Sequence, residues 1–144
     1  MEFTPRGPES PLTAPPVVFP GQVTSHSAYR VAHDLLTRRA PSEALAVLER
    51  ELASHPRDTG LRALRAWAYL SRAQLHRAEE ELHSLVAENP SDVWFRHALG
   101  RALERQSRHA EALPHLRLAA AMSGDPAHAA AAARVEARLR QPRV

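Results

Sequence analysis

The sequence repeats itself every 34 residues. Ala44, Ala78 and Ala112 stand in that register, and so do Leu48, Leu82 and Leu116. Leu35, Tyr69 and Leu103 keep it too, as do the small residues Ala32, Ala66 and Gly100, while Pro56 and Pro90 close the first two units. A fixed period of this length specifies a stack of like supersecondary units, because each unit can bury its apolar face only against its neighbours. The functional question then shifts from which reaction the chain performs to which ligand lies along the stack.

Within each unit the pattern predicts two antiparallel helices joined by a tight turn. The expected spans are 25–38 and 42–54, then 59–72 and 75–88, then 93–106 and 109–122. His55-Pro56 and Asn89-Pro90 end the second helices, because a residue before proline disfavours the helical region. Asp58 or Thr59, and Ser91 or Asp92, offer caps for the helices that follow. Asp125-Pro126 pairs a cap residue with proline at the first helical position. It opens a last helix over about 127–140, rich in Ala and Arg, which is expected to cover the end of the stack with Arg134, Arg138 and Arg140 facing water. Hydrophobic residues make up 44% of the chain but aromatic ones only 5%, so this core must pack through many small Ala and Leu contacts.

Residues 1–24 follow other rules. They hold Pro5, Pro8, Pro11, Pro15, Pro16 and Pro20, half of the twelve prolines in the chain. Such a segment is excluded from helix and reads as a disordered, partly polyproline tail, with Val17, Val18 and Phe19 as its sticky feature. Its removal is expected to leave the melting temperature nearly unchanged. The domain reading is a tail at 1–24, three units at 25–58, 59–92 and 93–124, and a capping helix with a short C-terminal tail at 125–144.

Composition removes several kinds of chemistry. There is no Cys, which excludes disulfides, thiolate catalysis and zinc–thiolate sites. There is no Lys, and all 19 cationic side chains are Arg, so every cationic contact is a planar fork suited to carboxylates and aromatic faces. The net charge of +3 is small and evenly mixed, which argues against a dedicated nucleic-acid binder. No apolar run reaches the roughly 18 residues of a membrane span, and no secretory pattern opens the chain, so the cytoplasm is the expected compartment. The nine histidines contain no His-Glu-x-x-His and no i, i+4 pair, and read as scattered surface residues. Nucleophile-elbow, P-loop and dinucleotide motifs are absent from the sequence. Glu79-Glu80-Glu81 reads as a solvated helix face. No metal, cofactor or catalytic residue is expected, and the chain is not read as an enzyme.

These units resemble the tetratricopeptide repeat (TPR), which is 34 residues long with the pattern W-x2-L-G-x2-Y…A-x3-F…P. The third unit matches best, with Leu99-Gly100-x2-Leu103 in its first helix and Ala112-x3-Leu116 in its second. Ala66, Ala68-Tyr69, Ala78, Leu82 and Pro90 match in the second unit, and Val31-Ala32, Leu35, Ala44, Leu48 and Pro56 in the first. The resemblance covers about residues 25–122 and implies an all-α helical-repeat solenoid of three TPR helix pairs plus a C-terminal capping helix. There are departures. Arg62 and Arg65 stand where large apolar residues are usual, which predicts looser packing of that helix. Gly124 stands in place of the third closing proline, and Pro114 lies inside the sixth helix.

In this family the first helices line a concave groove in which ligand peptides lie. Carried over residue by residue, the resemblance places Tyr29, Arg30, His33, Trp67, Leu70, Trp94, His97, Arg101 and Arg105 on that face as partner-binding candidates. Trp67 reads equally well as a core residue, whereas Trp94, at a helix start, is expected to be exposed. His97, Arg101 and Arg105 are spaced i, i+4, i+8 on one helical stripe. That stripe forms either a positive groove wall or a solvated face exchanging ion pairs with Glu104. The set that binds chaperone C-terminal carboxylates is absent, since Tyr29, His33, Leu64, Trp94 and Ala98 occupy its positions. The expected function is a non-catalytic adaptor or scaffold whose protein or peptide partner carries a hydrophobic anchor with an acidic flank. A homodimeric chaperone-like or regulatory subunit and a helical-repeat RNA binder are the alternatives; RNA binding would weaken steeply with salt.

Overall fold

A computed structural model describes residues 12–15 and 26–141. Its helices are α1 (His26–Thr37), α2 (Pro41–Ser54), α3 (Thr59–Ser71), α4 (Leu75–Glu88), α5 (Val93–Arg105), α6 (His109–Ser123) and α7 (Pro126–Arg140). No strand occurs among the described residues. The chain is all-α, a stack of three helix pairs closed by α7. Each helix packs on the one before and the one after, and α1 also reaches α3. Val17, Val18 and Phe19 lie outside the described residues.

Local chemistry sets the ends of these helices, again with the period of 34. Of the cap alternatives, the aspartates are used: the Leu61 N–H donates to Asp58 Oδ1 at 3.0 Å and the Phe95 N–H to Asp92 Oδ1 at 2.9 Å. Each satisfies one of the orphan donors at a helix start. Inside each unit the chain reverses through one left-handed residue: Arg39 (φ 61°), Ala73 (φ 56°) and Ser107 (φ 61°). Around each, the same pair of hydrogen bonds closes the helix, for example Ala73 N–H to Leu70 O and Gln74 N–H to Tyr69 O. This is the Schellman arrangement, and it needs a residue able to hold positive φ. The third unit ends on Gly124 in the left-handed region, φ 65°, which replaces a closing proline as the stop signal.

Core packing rests on the small residues. Ala32 and Ala66 are fully buried, and at the third equivalent position a Cβ on Gly100 would lie 2.5 Å from Leu116 Cδ2 and 2.6 Å from its Cγ. The facing positions Ala44, Ala78 and Ala112 are also fully buried, as are Leu48, Leu82 and Leu116. Helix α7 contributes Ala131, Ala132 and Val135 to the same core, which covers the end of the third pair.

Three readings of charged residues are corrected. Arg62 and Arg65 do not loosen α3; both clamp it to α4 through Glu81, with Arg62 also bonded to Glu88. Glu79 and Glu81 are not solvated. Glu79 accepts bonds from Gln106 and Arg108, which tie α4 to the turn before α6. Burial alone pushes the Glu79 pKa up, but the hydrogen bonds from Gln106 and Arg108, together with the charges of Arg108 and His83, hold it below the usual carboxylate value. Arg134, expected to face water, is only partly exposed and donates two bonds to Glu104 at 2.7 and 2.9 Å, joining α7 to α5.

Two substitutions test this frame. Gly100→Ala adds a methyl that the body of Leu116, not a flexible tip, must vacate. The helix-propensity gain of about 1 kcal/mol is outweighed, and stability is expected to fall by roughly 1–2 kcal/mol in urea titration. Ala73→Gly relieves the left-handed strain and is expected to raise stability by about 1 kcal/mol. Opposite signs would show that these positions do not hold the stack.

Candidate functional site

The first helices α1, α3 and α5 present an aromatic row. Tyr29 and His33, one turn apart on α1, stack with ring centroids 6.1 Å apart. His33 meets Trp67 of α3 edge-on at 5.8 Å. The Tyr29 ring lies over Gly60, where a Cβ would come within 3.3 Å of it. Burial, and then the charge of Asp58, push the Tyr29 hydroxyl above its usual pKa, so it stays a neutral donor. The Trp67 ring packs against both core clusters and is partly exposed. Arg30 is exposed and Leu70 is buried beneath the face.

Trp94 departs from its expected exposure. It is only 8% exposed, and its Nε1–H donates to the Thr13 carbonyl at 2.8 Å. Residues 12–15 lie along this face as a short segment without regular secondary structure. Leu12 packs on the core cluster that contains Trp94 and Ala98, and Pro15 is buried in a small cleft with Tyr29, Gly60, Ala63 and Phe95. The picture of a detached tail is therefore corrected at these four residues. Sequence reasoning missed this contact because Leu12, Ala14 and Pro15 carry no period to read.

The His97–Arg101–Arg105 stripe does not behave as one wall. His97 is 8% exposed and stacks face to face with His128 of α7, centroids 4.1 Å apart. It belongs to the α5–α7 joint and not to the groove surface, which also corrects the reading of all histidines as surface residues. Arg101 forms an ion pair with Glu104 at 3.2 Å, with its side chain 11% exposed. Arg105 is exposed and donates to the Leu70 carbonyl at 2.9 Å, which caps the end of α3. Beside them opens a cleft of about 350 Å³, lined by Arg101, Glu104, Arg105, Ser107, His109, Arg134 and Arg138. The two α7 arginines could not be foreseen, because that helix lies outside the repeat register. Among the described residues no group of three or more His, Cys, Asp or Glu is placed to hold a metal ion.

No family model matches the sequence, and no curated protein does. Solved structures do match the fold. MamA AMB-1, a TPR-containing protein, superposes at a TM-score of 0.68 with 21% identity, over 78% of this chain and 66% of that one. A second MamA AMB-1 structure gives the same score and identity over 62% of its chain, and a point mutant of MamA matches equally well. The chain thus spans under two thirds of the MamA chains it matches. The fold is that of a TPR-type helical repeat. No helix among the described residues is long and apolar enough to cross a membrane.

The His97–His128 joint gives a pH dependence with a definite sign. Burial depresses the His97 pKa from 6.5 to about 4; the charges of His128, Arg101 and Arg134 add to this, and Asp125 opposes it. The unfolded chain therefore takes up this proton first. The contribution is fully present above pH 6.5 and is lost as pH falls toward about 4. Denaturation midpoints are expected to fall more steeply across that window in the parent than in His97→Gln. Equal slopes would exclude His97 as the titrating group.

Proposed function

We propose that this chain is a non-catalytic protein–protein interaction module, an adaptor or scaffold that holds an extended partner segment along α1, α3 and α5. One observation carries the reading: the Trp94 indole N–H bonded to a main-chain carbonyl of residues 12–15, beside a buried proline. A face that accepts an extended backbone through a tryptophan donor suits a peptide ligand, since the backbone bond fixes register and the aromatic pockets select side chains. The TPR-type fold supports the same reading.

The roles follow from position. Tyr29, His33 and Trp67 provide the wall for a hydrophobic anchor, with Arg30 at its rim. Trp94 bonds the partner backbone. Leu70 and His97 support the face from below. Arg101 and Arg105 attract an acidic flank at the far end of α5. Trp94 and Arg105 are eleven positions apart on one helix, which at 1.5 Å per residue is about 16 Å. An extended chain covers that in about five residues. The anchor and the acidic flank are therefore expected about five residues apart.

A peptide with a Leu-x-x-Pro core and an acidic flank tests this, titrated into the full chain and followed by tryptophan fluorescence. Arg105→Glu reverses a charge at the opposite end of α5 from the Trp94–Thr13 bond, where the acidic flank would lie. It is expected to weaken binding at least tenfold, about 1.4 kcal/mol, with little change for Arg50→Glu on α2. Equal affinity in Arg105→Glu and the parent would place the binding elsewhere.

A further inference from the structure

The cleft at the far end of α5 has a charge balance that an ordinary acidic flank does not fill. It gathers four guanidinium groups, from Arg101, Arg105, Arg134 and Arg138, around one carboxylate, Glu104. Glu104 is saturated, holding Arg134 through both oxygens and Arg101 through one. Neither Arg105 nor Arg138 pairs with a carboxylate among the described residues. Arg105 and Arg138 thus bring two charges that no described carboxylate meets, and a single Asp or Glu would leave one of them uncompensated. The cleft floor adds donors of another kind. Ser107 and His109 line it, and α6 begins here with no side chain capping its N-terminus. Uncapped amides at a helix start favour an anion with several acceptor oxygens.

We propose that this cleft binds the dianion of a phosphate monoester, carried by the partner segment as a phosphorylated serine or threonine. The proposal rests on the groove reading above and names the chemistry of its charged end. Geometry supports it. The Glu104 bonds hold Arg101 and Arg134 in place before a ligand arrives, so little side-chain entropy is lost on binding. Arg105 is fixed in the same way by the Leu70 carbonyl. Arg138, in the last turn of α7, is exposed and free to swing onto the ligand. The other end of the face is aromatic and carries Asp92 and Asp58, which opposes a continuous nucleic-acid track.

The test uses the full chain with a peptide of Leu-x-x-Pro core and a phosphoserine five residues beyond it. Its serine and aspartate twins and inorganic phosphate are measured in parallel. The phosphopeptide is expected to bind at least tenfold more tightly than the serine twin. Arg138→Ala, an exposed position, should remove that advantage and leave serine-twin binding unchanged. Inorganic phosphate should shift the backbone amide signals of Ser107, His109 and Ala110, and acetate should not. An aspartate twin as tight as the phosphopeptide, or an advantage that survives both Arg138→Ala and Arg105→Ala, overturns the proposal. So does an oligouridine that displaces the phosphopeptide with a steep salt dependence. Amide shifts with inorganic phosphate, abolished by Arg138→Ala while neither peptide binds, would sink the groove reading and uphold phosphate recognition by the cleft.

Discussion

Between Gly100 and Leu116 there is no room for a methyl group: a Cβ would stand 2.5 Å from the leucine side chain. That closeness, repeated with Ala at the other two units, is what the stack depends on. Because the facing helices can touch backbone to side chain, Leu48, Leu82 and Leu116 disappear completely from solvent. Such packing is selective, since the second helix of each unit covers only one side of the first. On another side of these first helices Tyr29 and Trp94 meet residues 12–15.

Charged side chains do the second part of the joining, in the case of Arg62 and Arg65 at places where apolar ones are usual. Arg62 and Arg65 share Glu81, Glu79 gathers Gln106 and Arg108, and Glu104 gathers Arg101 and Arg134. A buried ion pair gains little net energy when desolvation is counted, and losing one partner costs far more than the pair gives. Here every carboxylate is met by at least two donors, so none is left with a bare charge. These clamps also hold guanidinium groups in fixed directions. At Glu104 the same bonds that join α7 to α5 also shape the charged cleft.

The spacing of Ala, Leu and Pro predicted every helix to within about two residues, because helix ends and close contacts are decided by local chemistry. Asp58 and Asp92 as caps, Gly124 as a stop and α7 as a cover were all within reach of the pattern. What the pattern could not show is any contact between segments of unrelated register. His97 meeting His128, Arg134 reaching Glu104 and Trp94 bonding Thr13 each join residues whose separation is no multiple of the repeat. The face was therefore legible as a list of first-helix positions, whereas its division into an aromatic half, a buried histidine joint and an arginine cleft was not. The left-handed residues Arg39, Ala73 and Ser107 escaped for another reason: none is the Gly or Asn that such a conformation favours, so the sequence gives no sign of them.

Residues 12–15 bear on how any partner must bind. The Trp94 N–H has one proton to give, and Thr13 takes it. A partner carbonyl at that position replaces Thr13; it does not add to it. The segment belongs to the same chain as α5, so it competes with any partner as an intramolecular ligand, with an effective concentration of its own. A free peptide with only the same contacts would need a similar concentration to displace it. Contacts that Leu12 to Pro15 do not make decide the competition, and the cleft at the other end of α5, with Arg105 and Arg138 in its lining, offers them. A partner that reaches both ends of the helix gains what Leu12 to Pro15 do not reach. The shared half of the face then sets register, and the charged half sets preference.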